Sequence, residues 1–161
     1  MQIQSSRFGA IEIDDNSILF FKEGILGFEQ LKRYAIILCN QTEPIQWLQA
    51  ADDKNVSLPV INPFIICPDY AIDIDGAELN TIEAQDAGDV FVLNVMVIPS
   101  QMVNSTINLS APILINAKNK QGKQFLIECS MENAIRYPAF EPLNQYYKEM
   151  QSSAGTITQS K

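Results

Sequence analysis

"VFVLNVMVI", residues 90–98, is the stretch whose reading decides the fold class, and only Asn94 interrupts its apolar run. Four of its residues are Val and one is Phe. Branched and aromatic side chains suit a pleated strand and lose rotamer freedom in a helix. The stretch therefore reads as a central β-strand buried on both faces rather than as a buried helical segment. Shorter runs of the same kind surround it: FGAIEI (8–13), SILFF (17–21), YAIILC (34–39), VSLPVI (56–61), STINL (105–109), PILINA (112–117) and QFLIE (124–128). Gly, Pro, Asn and Asp separate them, which predicts an antiparallel β-barrel-like or sandwich domain and not alternating β and α units.

The downstream neighbour, "STINLSAPILINAKNKQGKQFLI" (105–127), reads as a kinked strand followed by a hairpin. Pro112 lacks the N–H that a ladder needs, so it marks an edge or bulge, and it biases Ala111 towards extended backbone. Asn119 and Gly122 supply the loop, with Gly122 suited to a positive φ. Helical expectations are few. GFEQLKR (27–33) predicts one or two turns, MENAIRY (131–137) a helix start halted at Pro138, and EPLNQYYKEM (141–150) a full helix with Pro142 in its first turn. The expected layout is one domain over residues 1–150 and a polar, flexible tail over 151–161.

Composition narrows the chemistry. The 161 residues suit one globular domain, with 47% hydrophobic and 19% charged residues. There is no histidine, which excludes Ser-His-Asp, Cys-His and His-zinc sites. Cys39, Cys67 and Cys129 form no CxxC and read as buried or half-buried thiols. The net charge of −8 disfavours direct nucleic-acid binding and an anionic membrane surface. No apolar run approaches the ~20 residues of a spanning helix, and the N-terminus lacks a signal-peptide layout, which points to an intracellular protein.

Charge is unevenly spread. From Asn55 to Ala117 there is no Lys or Arg, yet Asp69, Asp73, Asp75, Glu78, Glu83, Asp86 and Asp89 all fall there. Such a stretch is either a solvated surface or a negative patch that attracts a basic partner. The DIDG segment does not make an EF-hand, because the first and last liganding positions would be Ala71 and Ile82. No metal or cofactor is expected. The acids leave open a carboxylate-dependent hydrolase on a small β-barrel. A structural assembly subunit is a third reading, and it would need a large apolar patch. Trp47 reads as core or as an anchor near an interface rim, flanked by Asp52 and Asp53.

"EGILGFE" (23–29), "WLQAADD" (47–53), "PFIICPDY" (63–70) and "NLSAPILIN" (108–116), followed by "GKQ" (122–124), together resemble the flagellar assembly factor FliW family over residues 3–137. The residues that carry the resemblance include Gly24, Gly27, Phe28, Trp47, Leu48, Gln49, Tyr70, Asn108, Ala111, Pro112, Asn116 and Gln124. The chain departs from the family in having Gly24-Ile25-Leu26-Gly27 where Gly-Leu-Pro-Gly is usual, which bears on the local turn. The resemblance implies a cytoplasmic, non-enzymatic β-barrel-like regulator, monomeric when free. It implies two competing protein partners, flagellin and the translational repressor CsrA, the latter antagonised allosterically so that flagellin synthesis resumes. Asp69, Asp73, Asp75, Glu78 and Trp47 are the candidate partner-binding residues.

Overall fold

The apolar run at 90–98 folds as a strand, Val90–Val97, and it pairs with three others. In the computed structural model, which describes the backbone of residues 1–159 and the side chains of 1–152, the elements follow in this order. Gln2–Ser5 (β1) and Gly9–Glu12 (β2) make a separate hairpin. Leu19–Phe20 (β3), Arg33–Leu38 (β4), Gln46–Ala50 (β5) and Ser57–Ile61 (β6) form a meander. Two short helices follow, Pro63–Ile66 (α1) and Gly76–Asn80 (α2), and then β7 at Val90–Val97. Thr106–Ile107 (β8), Ile113–Asn116 (β9), Gly122–Gln124 (β10), Tyr137–Pro138 (β11) and the helix Phe140–Gln159 (α3) complete the chain.

All strand pairs are antiparallel. The main path runs β10-β9-β7-β6-β5-β4-β3, with β8 joining β7 and β11 joining β8. The sheet curls but is not a closed barrel. Its end strands meet at one parallel bridge, Phe20 to Gln121, where the Phe20 amide donates to the Lys120 carbonyl at 2.9 Å. The fold is mostly β, as expected, with barrel curvature and a seam joined only by that bridge.

Alternation along the strands explains the two main cores. Leu48, Val60, Leu93, Ile113 and Ile115 pack together on one face with Phe21 and Tyr34, whose rings meet edge-on at 5.3 Å. Their neighbours Trp47, Ile61 and Met96 belong to a second cluster, which Ile66 of α1 and Leu143 of α3 cover. Each fully buried Leu, Ile or Val contributes roughly 1.5–3 kcal/mol. A smaller cluster of Ile82, Ala84, Leu114 and Phe125 packs the arm between α2 and β7 onto β9.

Several expectations need correction. β7 is buried at Leu93, Asn94 and Met96 but exposes Phe91 and Val97, although both are paired, to Ile115 and Thr106, because pairing satisfies their backbone without covering their side chains. The 27–33 segment forms consecutive turns instead of a helix, and 131–137 shrinks to a single 3-10 turn at Ala134–Arg136. The strands expected at 17–21 and 105–109 keep only two residues each. The hairpin forms, yet its second strand is Gly122–Gln124; beyond it the Phe125 and Ile127 amides donate to Pro112 and Ser110 carbonyls, both at 2.9 Å. Gly122 is not the left-handed residue of that loop; Lys120 is, at φ 64°. Gly122 serves close packing instead, since a Cβ there would lie 2.6 Å from the Phe21 ring. Helix α3 continues from the expected 141–150 through Gln159, into the segment read as a tail. Residues 160 and 161 of that segment lie outside the described residues.

Candidate partner-binding surfaces

The residues that carry the family resemblance form a frame. Gln124 joins two of its motifs: its side-chain oxygen accepts from the Leu26 amide at 2.9 Å and its side-chain nitrogen donates to the Ala111 carbonyl at 3.3 Å. Gly24 has φ 70°, and a Cβ there would collide with the Glu29 backbone at 2.5 Å. The Gly27 amide donates to the Glu29 carboxylate, and the Phe28 amide closes the turn on the Ile25 carbonyl. The turn thus forms with Leu26 in place of the usual proline.

Asn116 holds the far loop, donating to the Ile82 carbonyl at 3.0 Å and accepting from the Lys118 amide at 3.0 Å. Gln49 is fully buried beside fully buried Leu48 and donates to the Ala50 carbonyl at 3.1 Å. Asn108 accepts from the Ser110 amide at 2.9 Å, just before buried Ala111 and Pro112. Tyr70, 4% exposed, donates to the Leu109 carbonyl at 2.6 Å and accepts from Asn94, which also donates to the Asn108 carbonyl at 2.8 Å. Burial raises the Tyr70 phenol to about 12, against the opposing hydrogen bond from Asn94. These groups hold nearby backbone in place, while the Gln49 and Asn94 side-chain oxygens are buried without a hydrogen-bond partner among the described residues.

An apolar groove of about 560 Å³ opens beside α3. Trp47 and Met96 form its floor, Leu143 and Tyr147 one wall, and exposed Val97 and Met102 its lip. Trp47 is 6% exposed, so it is a floor and core residue rather than a rim anchor. Its indole N–H donates to the Thr42 hydroxyl at 3.0 Å, Phe8 meets it edge-on at 6.0 Å, and the Arg7 guanidinium lies 4.0 Å above its ring.

The acidic stretch forms an arm of short capped elements. Asp75 caps α2 through the Glu78 amide at 2.8 Å, and Asp86 accepts from the Gly88 amide at 3.0 Å. Glu83 accepts from Gln121, and Asp89 pairs with Lys118 at 3.3 Å. Asp69, Asp73, Asp75 and Glu78 are all exposed, and none is in an ion pair among the described residues. Asp69 and Asp73 share a recess of about 430 Å³ with Glu128 and Cys129. Among the described residues, no cluster of acids and thiols is arranged to hold a metal ion, and no helix is long and apolar enough to cross a membrane.

The sequence model of the FliW protein family matches residues 2–139, which takes in the frame, the groove floor and the arm. The chain belongs to the FliW family. A flagellar assembly factor FliW from Caldicellulosiruptor saccharolyticus is 39% identical over 142 residues, 88% of this chain and 92% of that protein. One from Thermoanaerobacter pseudethanolicus is 37% identical over 148 residues, covering 91% and 98%. A crystal structure of the flagellar assembly factor FliW superposes with a TM-score of 0.78 at 28% identity, covering 87% of this chain and 97% of that one. The family model stops within one residue of α3, whereas the matches to these relatives cover 88% and 91% of the chain and so extend into that helix.

Sequence reading singled out the acids and, of the groove, only its floor residue Trp47. The groove's residues come from positions 7, 41–47, 57–59, 96–102 and 143–147, and only the fold unites them. Met102 and Tyr147 gave no local signal beyond being apolar.

Proposed function

We propose that this FliW-family chain is a non-enzymatic regulator of flagellar assembly, monomeric when free and acting in the cytoplasm. It binds flagellin in the groove beside α3 and, once flagellin leaves, binds and allosterically antagonises CsrA, using the acidic arm for attraction. The groove carries this reading. It has a buried aromatic floor, an exposed Met and Val lip and a helical wall, which suits the apolar face of an amphipathic segment. Flagellin's terminal segments have that character. The four exposed, unpaired acids of the arm suit a basic partner.

The acids of the recess do not favour the hydrolase. Asp69, Asp73 and Glu128 are all exposed, whereas a general acid working at neutral pH needs a desolvated carboxyl.

The test is retention of flagellin on the immobilised chain. Full-length flagellin should bind one to one and be protected from proteolysis; flagellin lacking its C-terminal segment should not bind. Met102→Ser with Tyr147→Ala should weaken binding more than about tenfold, in the range expected for central apolar anchors. Equal retention of truncated and full-length flagellin overturns the groove reading.

A further inference from the structure

Among the described residues, Arg7 is the only ionised side chain lining the apolar groove of a protein whose net charge is −8. Its placement is built. The Ser5 hydroxyl accepts from the Arg7 and Phe8 amides at 3.2 and 3.0 Å, fixing the turn between β1 and β2. The Ser6 amide and hydroxyl tie the same turn to the Lys54 carbonyl at 2.8 Å and the Asn55 side chain at 2.6 Å. Phe8 packs on Trp47 and Arg7 stacks above it. The guanidinium carbon lies over the ring, and the exposed side chain has no hydrogen-bond or ion-pair partner among the described residues, so its N–H groups are free to meet a ligand. A planar cation held this way meets a carboxylate through two parallel hydrogen bonds with little ordering cost.

We propose that Arg7 selects the groove's occupant by pairing with an Asp or Glu side chain on the flank of the docking helix's apolar face. Resting on the groove reading above, this names the polar half of the recognition. Apolar contacts alone would accept any amphipathic helix; the lone cation demands an acid at one position, and a lysine there is repelled.

The experiment measures flagellin affinity for wild type, Arg7→Met, Arg7→Lys, Arg7→Glu and Tyr147→Ala, with thermal unfolding as the folding control. Arg7→Met keeps apolar cover over Trp47 and should lose about tenfold in affinity at low salt, the scale of a charged hydrogen bond. Higher salt should shrink that difference, and Arg7→Lys should fall between. Each Asp and Glu of flagellin's C-terminal segment is then changed singly to Lys. One such flagellin should bind wild type poorly and regain affinity with Arg7→Glu. Wild-type affinity for Arg7→Met beside a loss for Tyr147→Ala overturns the inference while the groove reading stands. Unchanged affinity in both overturns the groove reading itself. Failure of every charge-reversed flagellin to be restored by Arg7→Glu, or an effect of Arg7→Met only on self-association of this chain, also overturns the pairing.

Discussion

The groove and the acidic arm differ in how their side chains are held. Groove residues grow out of long ladders: Trp47 lies in β5, five-fold paired to β4, and Met96 in β7, which three strands flank. The arm is made of short helices and turns whose acids cap their own backbone. A rigid apolar trough gives affinity through shape and desolvation, whereas solvated charges act at long range and mainly raise the rate of encounter. Two surfaces of one small domain are thus suited to different tasks.

Trp47→Ala should break the contrast from the groove side. It removes the floor, the bond to Thr42 and the stacking partners Phe8 and Arg7. Urea unfolding should report a loss of about 3–5 kcal/mol. A smaller loss, with the groove intact, would show that the floor is more plastic than its burial suggests.

Tyr70→Phe comes next, because it cuts the tie between the root of the arm and the crossover at Asn108 and Leu109. Equilibrium unfolding should show about 1–2 kcal/mol lost, since a buried carbonyl is left without its donor.

The arm's charges should matter kinetically. The combined change Asp69→Asn, Asp73→Asn, Asp75→Asn and Glu78→Gln should slow CsrA association several-fold at low salt. Rates should converge with wild type as the screening length falls from ~10 Å at 0.1 M to ~3 Å at 1 M. The fold should survive, since asparagine at 75 still caps α2. Flagellin affinity should move less. An unchanged rate at low salt would place the contact elsewhere.

Tyr34→Phe should have the smallest effect. The Tyr34 hydroxyl is buried without a hydrogen-bond partner among the described residues, so its loss should shift stability by less than about 1 kcal/mol at neutral pH. Its signature lies at high pH. Burial first, then the Glu29 carboxylate, raises the Tyr34 phenol to about 12. The unfolded phenol ionises near ~10, so the neutral form favours the fold fully below that pH. That stability declines as pH rises towards about 12, and Tyr34→Phe should flatten the decline in urea titrations.

Where sequence pattern and local chemistry agree, the fold was readable: β4, β7, the β9–β10 hairpin and α3 follow from apolar runs, turn residues and Pro142. The failures are physical. β5 hides because Gln49 occupies a fully buried strand position, where its side-chain nitrogen donates to the Ala50 and Asp53 carbonyls. The helix expected at 27–33 loses to left-handed glycines at 24 and 27, which set the turn before helical propensity can act. The exposed acids were legible because composition alone reveals them. Of the groove only Trp47 was, because no window of sequence contains the rest.

The outer strands of the nine-stranded sheet are short. Leu19–Phe20 and Tyr137–Pro138 have two residues each, and Gly122–Gln124 has three. Two of them turn towards each other at the seam, and the third carries a proline. A foreign strand finds almost no backbone there on which to extend the sheet, which guards a β-rich chain against self-templated growth into fibres. The same economy leaves intermolecular contact to side-chain surfaces, whose occupants can come and go without unzipping the fold.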